Sequence, residues 1–229
     1  MRTHALLGAT LLALLAAASV ARADAEWGGT AGALAGFAQG DFRHAVDTGW
    51  GASGAVLFMP GSAPLALRLG ASALIYGSET QHVPYLPSTG RVTLEETTDN
   101  WIGAAEVGPE LLARHGAIRP YGHVLVGSSY FSTTTDLREE NSVDTIATST
   151  NFEDWAFRVV AGAGVRIALG GTGHVALDLG ARYVWNSEVD YLTEGDIVDG
   201  PHGDIYFRPH RSRGDLIEVS VGLAWGGRR

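Results

Sequence analysis

The stretch 214–225 alternates without a slip: Ile217, Val219, Val221, Leu223 and Trp225 fall on one face, and Glu218, Ser220, Gly222 and Ala224 on the other. A period of two is the mark of a β-strand with one apolar and one polar side. A single strand cannot satisfy its own backbone donors and acceptors. What it pairs with therefore decides the fold.

Seven further segments share the pattern: 29–39, 50–58, 65–76, 101–113, 121–130, 155–169 and 175–185. In the sixth of these, Trp155, Phe157, Val159, Val165, Ile167 and Leu169 oppose Arg158 and Arg166. In the seventh, Val175, Leu177, Leu179, Tyr183 and Trp185 oppose Asp178 and Arg182. Most are longer than the ~5–6 residues of an ordinary strand and long enough to cross a bilayer at a tilt. Short turn sequences join the second segment to the third, the fourth to the fifth and the sixth to the seventh. The intervening connections, 40–49, 77–100, 132–154 and 186–213, read as long loops. An even set of amphipathic strands with alternating short and long connections predicts an all-β fold, an eight-stranded antiparallel up-and-down transmembrane β-barrel. Both termini then lie on the short-turn side.

Residues 1–23 read as a secretory signal: Arg2, an Ala/Leu-rich core, then Ala21-Arg22-Ala23 before Asp24, with Ala23-Asp24-Ala25 as a second cleavage site. The barrel domain is expected over 24–229. Cysteine is absent, which excludes disulfides and a lipid anchor on sulfur. Lysine is absent too, which removes Schiff-base chemistry and lysine-based phosphate loops. Without the signal, 14 Arg stand against 25 acids, so nucleic acid is not an expected partner.

The polar faces carry Gly, Ala, Ser and eight charges: Arg68, Glu106, Glu110, Arg158, Arg166, Asp178, Arg182 and Glu218. A water-facing exterior would hold many charges and few glycines. Four positive and four negative groups among small residues fit a narrow, plugged polar lumen, where buried charge must be paired. Aromatics mark the segment ends. Trp50, Tyr76, Trp101, Tyr130, Trp155 and Trp185 are expected in a girdle at the long-loop interface, and Trp27, Phe58, Tyr121 and Trp225 in one at the other.

Together these features resemble the OmpA-like eight-stranded outer-membrane β-barrel family. The features that carry the resemblance are the signal ending in Ala21-Arg22-Ala23, the eight strands, and the closing strand from Ile217 to Trp225. That strand is similar to the assembly signal such barrels present to the insertion machinery, although Gly226-Gly227-Arg228-Arg229 follow where the family ends on an aromatic. The resemblance implies the outer membrane of a Gram-negative bacterium, termini in the periplasm and loops outside. It also implies a monomer whose partners are lipid, lipopolysaccharide and, during assembly, the insertion machinery. The peptidoglycan-binding domain of larger members is not expected.

Catalytic and metal chemistry find little purchase. A lipid-acting enzyme would need a His, a Ser and a carboxylate at the outer rim; Ser187-Glu188 with one of His44, His82, His202 or His210 is the nearest set. His202, Asp204 and His210 lack a fourth ligand at metal spacing. The loop acids lack a calcium-hand pattern, and the glycines of 162–173 lack a following helix to hold a phosphate. The expected role is structural, or interaction through long acidic outer loops, with no enzyme activity, cofactor or metal. A narrow channel or small-molecule carrier is the alternative, and a lipid-modifying enzyme comes third.

Overall fold

A computed structural model describes residues 25–46, 48–61, 63–84, 93–139, 145–170, 174–193, 196–199 and 205–226. The signal sequence and its cleavage sites, the turn residues 171–173, and His202 and Asp204 lie outside the described residues. The strands, in chain order, are β1 (Glu26–Ala38), β2 (Thr48–Met59), β3 (Leu65–Pro84), β4 (Thr93–Leu112), β5 (Ile118–Glu139), β6 (Thr145–Leu169), β7 (Val175–Asn186), β8 (Glu188–Tyr191), β9 (Ile197–Asp199), β10 (Ile205–Phe207), β11 (His210–Arg213) and β12 (Leu216–Gly226). Eight of them close a barrel in the order β1-β12-β7-β6-β5-β4-β3-β2, every neighbour antiparallel. The remaining four form two small hairpins, β8 with β11 and β9 with β10, in the connection between β7 and β12.

The opening alternation becomes the seam. β12 pairs with β1 from Leu216↔Ala38 to Gly226↔Gly28 and with β7 on its other side. Closure leaves no edge within the barrel wall. Its apolar face (Val219, Val221, Leu223 and Trp225) is exposed, while Glu218 is buried inside. The same parity holds around the wall: Val56, Leu67, Leu69, Val107, Val124, Val126 and Phe157 all lie outside. An apolar belt of this extent is far larger than a soluble protein leaves in water. The cross-strand partner of Trp225 is Gly29, and the indole ring lies over it: a Cβ on Gly29 would come within 2.6 Å of the ring.

Three expectations need correction. The connections 77–100 and 132–154 are largely strand rather than loop. β3 and β4 stay paired up to Pro84↔Thr93, and β5 and β6 up to Arg138↔Thr145. Residues 97–98, 133–135, 148 and 150 are threonines, β-branched and at home on a pleated surface. Both faces there are polar, so no apolar alternation betrays them. Second, Tyr76 is not in a girdle. It is 8 % exposed and points into the barrel, next to an irregularity in register between Ile75 and Gly77. Tyr121, assigned to the opposite girdle, is likewise buried inside; it shares the parity of His123. Third, the interior is not polar throughout. Leu34, Leu74, Ile102, Val184 and Leu216 turn inward near the long-loop end, with Leu125 and Val160 reaching down beside the charges.

The other girdle aromatics stand on the outer face. Trp50, Trp155 and Trp225 are exposed, and Trp101, Tyr130 and Trp185 are partly so. Trp101, Tyr130 and Trp155 form a row across β4, β5 and β6 with ring centroids 5.4 and 4.7 Å apart. Trp27 and Phe58 pair at 5.0 Å on the short-turn side.

Candidate functional site

Five strands, β3, β4, β6, β7 and β12, deliver the eight lumen charges, and each charge arrives because it occupies the inward parity of a strand whose outward parity is apolar. Small residues make the room. A Cβ on Gly164 would lie 2.4 Å from both the Tyr121 hydroxyl and the Leu179 carbonyl oxygen, so no larger residue fits there without displacement.

The charges sort into two groups. The first is a closed ring of four. Arg158 donates to Glu106 at 2.9 Å and to Glu218 at 3.1 and 3.3 Å. From β7, Arg182 also donates to both Glu218 and Glu106. Each carboxylate thus accepts from two arginines, and each arginine serves two carboxylates. Arg158 is fully buried and both glutamates nearly so. Arg158 also donates to Ser129, whose hydroxyl donates to Asn186, and the Asn186 amide N–H is held by Asp215.

The second group lies nearer the short turns. Glu110, fully buried, accepts from Arg68 at 2.8 Å and Arg166 at 2.7 Å. Arg166 Nε lies 3.7 Å from Asp178, and the guanidinium stands 4.5 Å over the Tyr121 ring. Tyr121 donates its hydroxyl to Asp178 at 2.7 Å. His123 Nδ1 is 4.0 Å from Glu110. Each group holds two positive and two negative side chains. Pairing of this density is what makes charge tolerable away from water. Arg68 Nε, Arg182 Nη2 and both His123 ring nitrogens have no hydrogen-bond partner among the described residues. Their side chains line a cavity of about 30 Å³ with Thr30, Tyr121 and Asp178, room for about two water molecules.

On the long-loop side of the ring the bore is apolar. Phe42, from a short 3₁₀ turn (Phe42–His44) after β1, is wholly buried among Tyr76, Phe131 and Tyr191, edge-on to each, with centroids 4.9–6.2 Å away. The Tyr76 hydroxyl donates to the Leu192 carbonyl at 3.2 Å, tying the wall to the last long connection. Burial raises the Tyr191 phenol above the ordinary tyrosine range. Sequence reasoning missed this apolar stopper. Its one available signal was Phe42, with Val46 four residues on, in the otherwise mostly polar segment 40–49.

Among the described residues, the rim side chains weighed for catalysis have separate partners. The Ser187 hydroxyl accepts from the Phe157 backbone N–H at 3.0 Å, Glu188 faces Arg211 at 3.4 Å, and His210 faces Asp196 at 3.2 Å. Among the described residues, no cluster of three or more His, Asp or Glu could hold a metal ion.

The sequence pattern of the outer membrane protein beta-barrel domain matches residues 9–205. The chain belongs to that family. This outer-membrane barrel therefore sits in the envelope of a Gram-negative bacterium. No curated protein matches its sequence. Among solved structures, Neisserial surface protein A is 14% identical, with 88% of this chain and 95% of that chain covered and a TM-score of 0.45. Ail, the attachment invasion locus protein of Yersinia pestis, solved with the heparin analogue sucrose octasulfate, is 10% identical, with 89% and 99% covered and a TM-score of 0.48. A major outer membrane protein from Thermus thermophilus is 13% identical, with 89% and 99% covered and a TM-score of 0.49.

Proposed function

We propose that this outer-membrane barrel is a non-conducting, monomeric scaffold that presents its tall, acidic end to the outside of the cell. Residues 1–23 serve as its export signal, and its insertion is guided by the closing strand. The observation that carries this reading is the four-membered ring of Glu106, Arg158, Glu218 and Arg182, which joins β4, β6, β7 and β12 through the bore. The stopper of Phe42, Tyr76, Phe131 and Tyr191 supports it from the long-loop side. A hydrated ion would have to break several charge-assisted bonds and displace packed aromatics.

Charge and height support the orientation. The four connections at the tall end, from residue 39 to 47, 77 to 100, 132 to 154 and 187 to 215, carry nineteen acids and six arginines. Long connections face outward in barrels of this kind. A surface of that sign recruits cationic partners or the divalent ions that bridge lipopolysaccharide, and it is solvated rather than sticky.

Planar-bilayer recording tests the reading. The protein, refolded and verified by heat-dependent gel mobility, is expected to give no unitary current steps. Steady steps that vanish when Ser53 or Ser220, which line the lumen cavity, is replaced by a larger residue would establish an open bore instead. Protease added to intact cells is expected to cut within the tall connections and to leave the short turns untouched.

A further inference from the structure

At the short-turn mouth of the barrel a second cavity opens, independent of the proposed scaffold role. It is lined by Arg114, Arg119 and Arg166, by Glu26, and by apolar walls that include Leu57 and Leu112. Arg119 and Arg166 are direct cross-strand partners on β5 and β6. Like charges placed opposite each other on one face destabilise a sheet unless something stands between them. Arg166 is committed to Glu110 and Asp178. Arg114 stands 3.6 Å from Glu26, with its side chain 12 % exposed. Arg119 has no hydrogen bond or ion pair among the described residues.

The charge here does not close as it does deeper in the lumen, where four positives meet four negatives. Among the described residues at the mouth, once Arg166 is counted with its own partners, two guanidinium groups face one carboxylate. Three buried guanidinium nitrogens of the uncommitted pair also have no hydrogen-bond partner among the described residues: Nε and Nη2 of Arg114 and Nε of Arg119. Unmade hydrogen bonds from charged donors are among the costlier defects a fold can carry. A cluster of forked donors with one surplus positive charge matches an oxyanion, which takes paired N–H···O bonds from arginine.

We propose that the short-turn mouth is an oxyanion site for a phosphate group, held by Arg114 and Arg119 and positioned by Arg166. The phosphate belongs either to a free anion or to the headgroup of an anionic phospholipid. Glu26 holds Arg114 in place and, as a neighbouring carboxylate, lowers the affinity of the site for any anion.

The test is an NMR titration of the Arg Nε–Hε resonances of the full barrel, against inorganic phosphate in a zwitterionic detergent at constant ionic strength, with chloride as comparator. A parallel arm compares lipid nanodiscs of phosphatidylcholine alone with discs containing phosphatidylglycerol. A saturable shift of the Arg114 and Arg119 signals with phosphate and not chloride supports a free-anion site. Silence with phosphate, but a shift in the phosphatidylglycerol discs alone, supports a headgroup site. Arg119→Gln should weaken whichever response is seen by about tenfold, the loss of one charge-assisted contact. Arg119→Lys should restore part of it, and Arg208→Gln in the tall connection should leave it unchanged. Three outcomes overturn the proposal: a shift that chloride reproduces, an Arg114 response that Arg119→Gln leaves intact, or no response in either arm. The wild-type titration decides the last of these even if a variant fails to fold.

Discussion

The barrel is filled in two ways along its bore. Towards the short turns, eight charges pair in two neutral groups among glycines. Towards the tall end, Phe42, Tyr76, Phe131, Tyr191 and the inward leucines and valines pack as a soluble protein's core does. Both fillings exclude water, but they fail differently. A core that loses atoms leaves a cavity of modest cost. An ionic group that loses one member leaves a desolvated charge behind. The charged half therefore specifies its register more harshly, and the apolar half tolerates more variation.

The largest expected effect follows from that asymmetry. Glu218→Ala strands Arg158 and Arg182 with one carboxylate between them and should cost about 3–5 kcal/mol. This is measured by urea unfolding in lipid vesicles, read by heat-dependent gel mobility. Loss of less than about 1 kcal/mol would mean that water reaches the ring and that the two halves are alike after all. Phe42→Ala in the stopper should cost about 3 kcal/mol, near the lower end for a buried aromatic, because the mouth above it can partly collapse. Replacing the ring wholesale, with Glu106→Leu, Arg158→Met, Glu218→Leu and Arg182→Met together, should change stability by no more than about 1–4 kcal/mol, and in the stabilising direction. A loss as large as that from Glu218→Ala alone would show that the pairs contribute more than they cost to bury. The smallest effect belongs outside the lumen. Arg211, two-thirds exposed and near Glu188 and Asp190, should lose under about 1 kcal/mol as Arg211→Ala and nothing measurable at high salt.

The two halves also differed in how far the sequence exposed them. Each charged residue stood out, because a lone Arg, Glu or Asp among small and apolar residues on the inward parity has no other reading in a lipid-facing wall. Which charge meets which was not legible. Glu106 and Arg182 are far apart in sequence and not on neighbouring strands, and their meeting depends on barrel shear and side-chain length. The apolar half was hidden for the opposite reason. Leu34, Leu74, Leu125 and Val160 sit among outward apolar residues, so both parities look alike and alternation goes silent. Tyr76 was assigned to the rim by its place at a strand's expected end, although the parity of Ile75 already set it inside. The strands above it were missed because threonine, glutamate and aspartate on both faces carry no period-two contrast.

The ring of Glu106, Arg158, Glu218 and Arg182 is a cycle, not a chain. A chain of ion pairs that parts at any link isolates whatever lies at its end. In a cycle, one link can open during a fluctuation of the wall and every charge still has a neighbour of opposite sign. The bore can thus flex by one contact at a time without ever presenting a bare ion to the membrane interior.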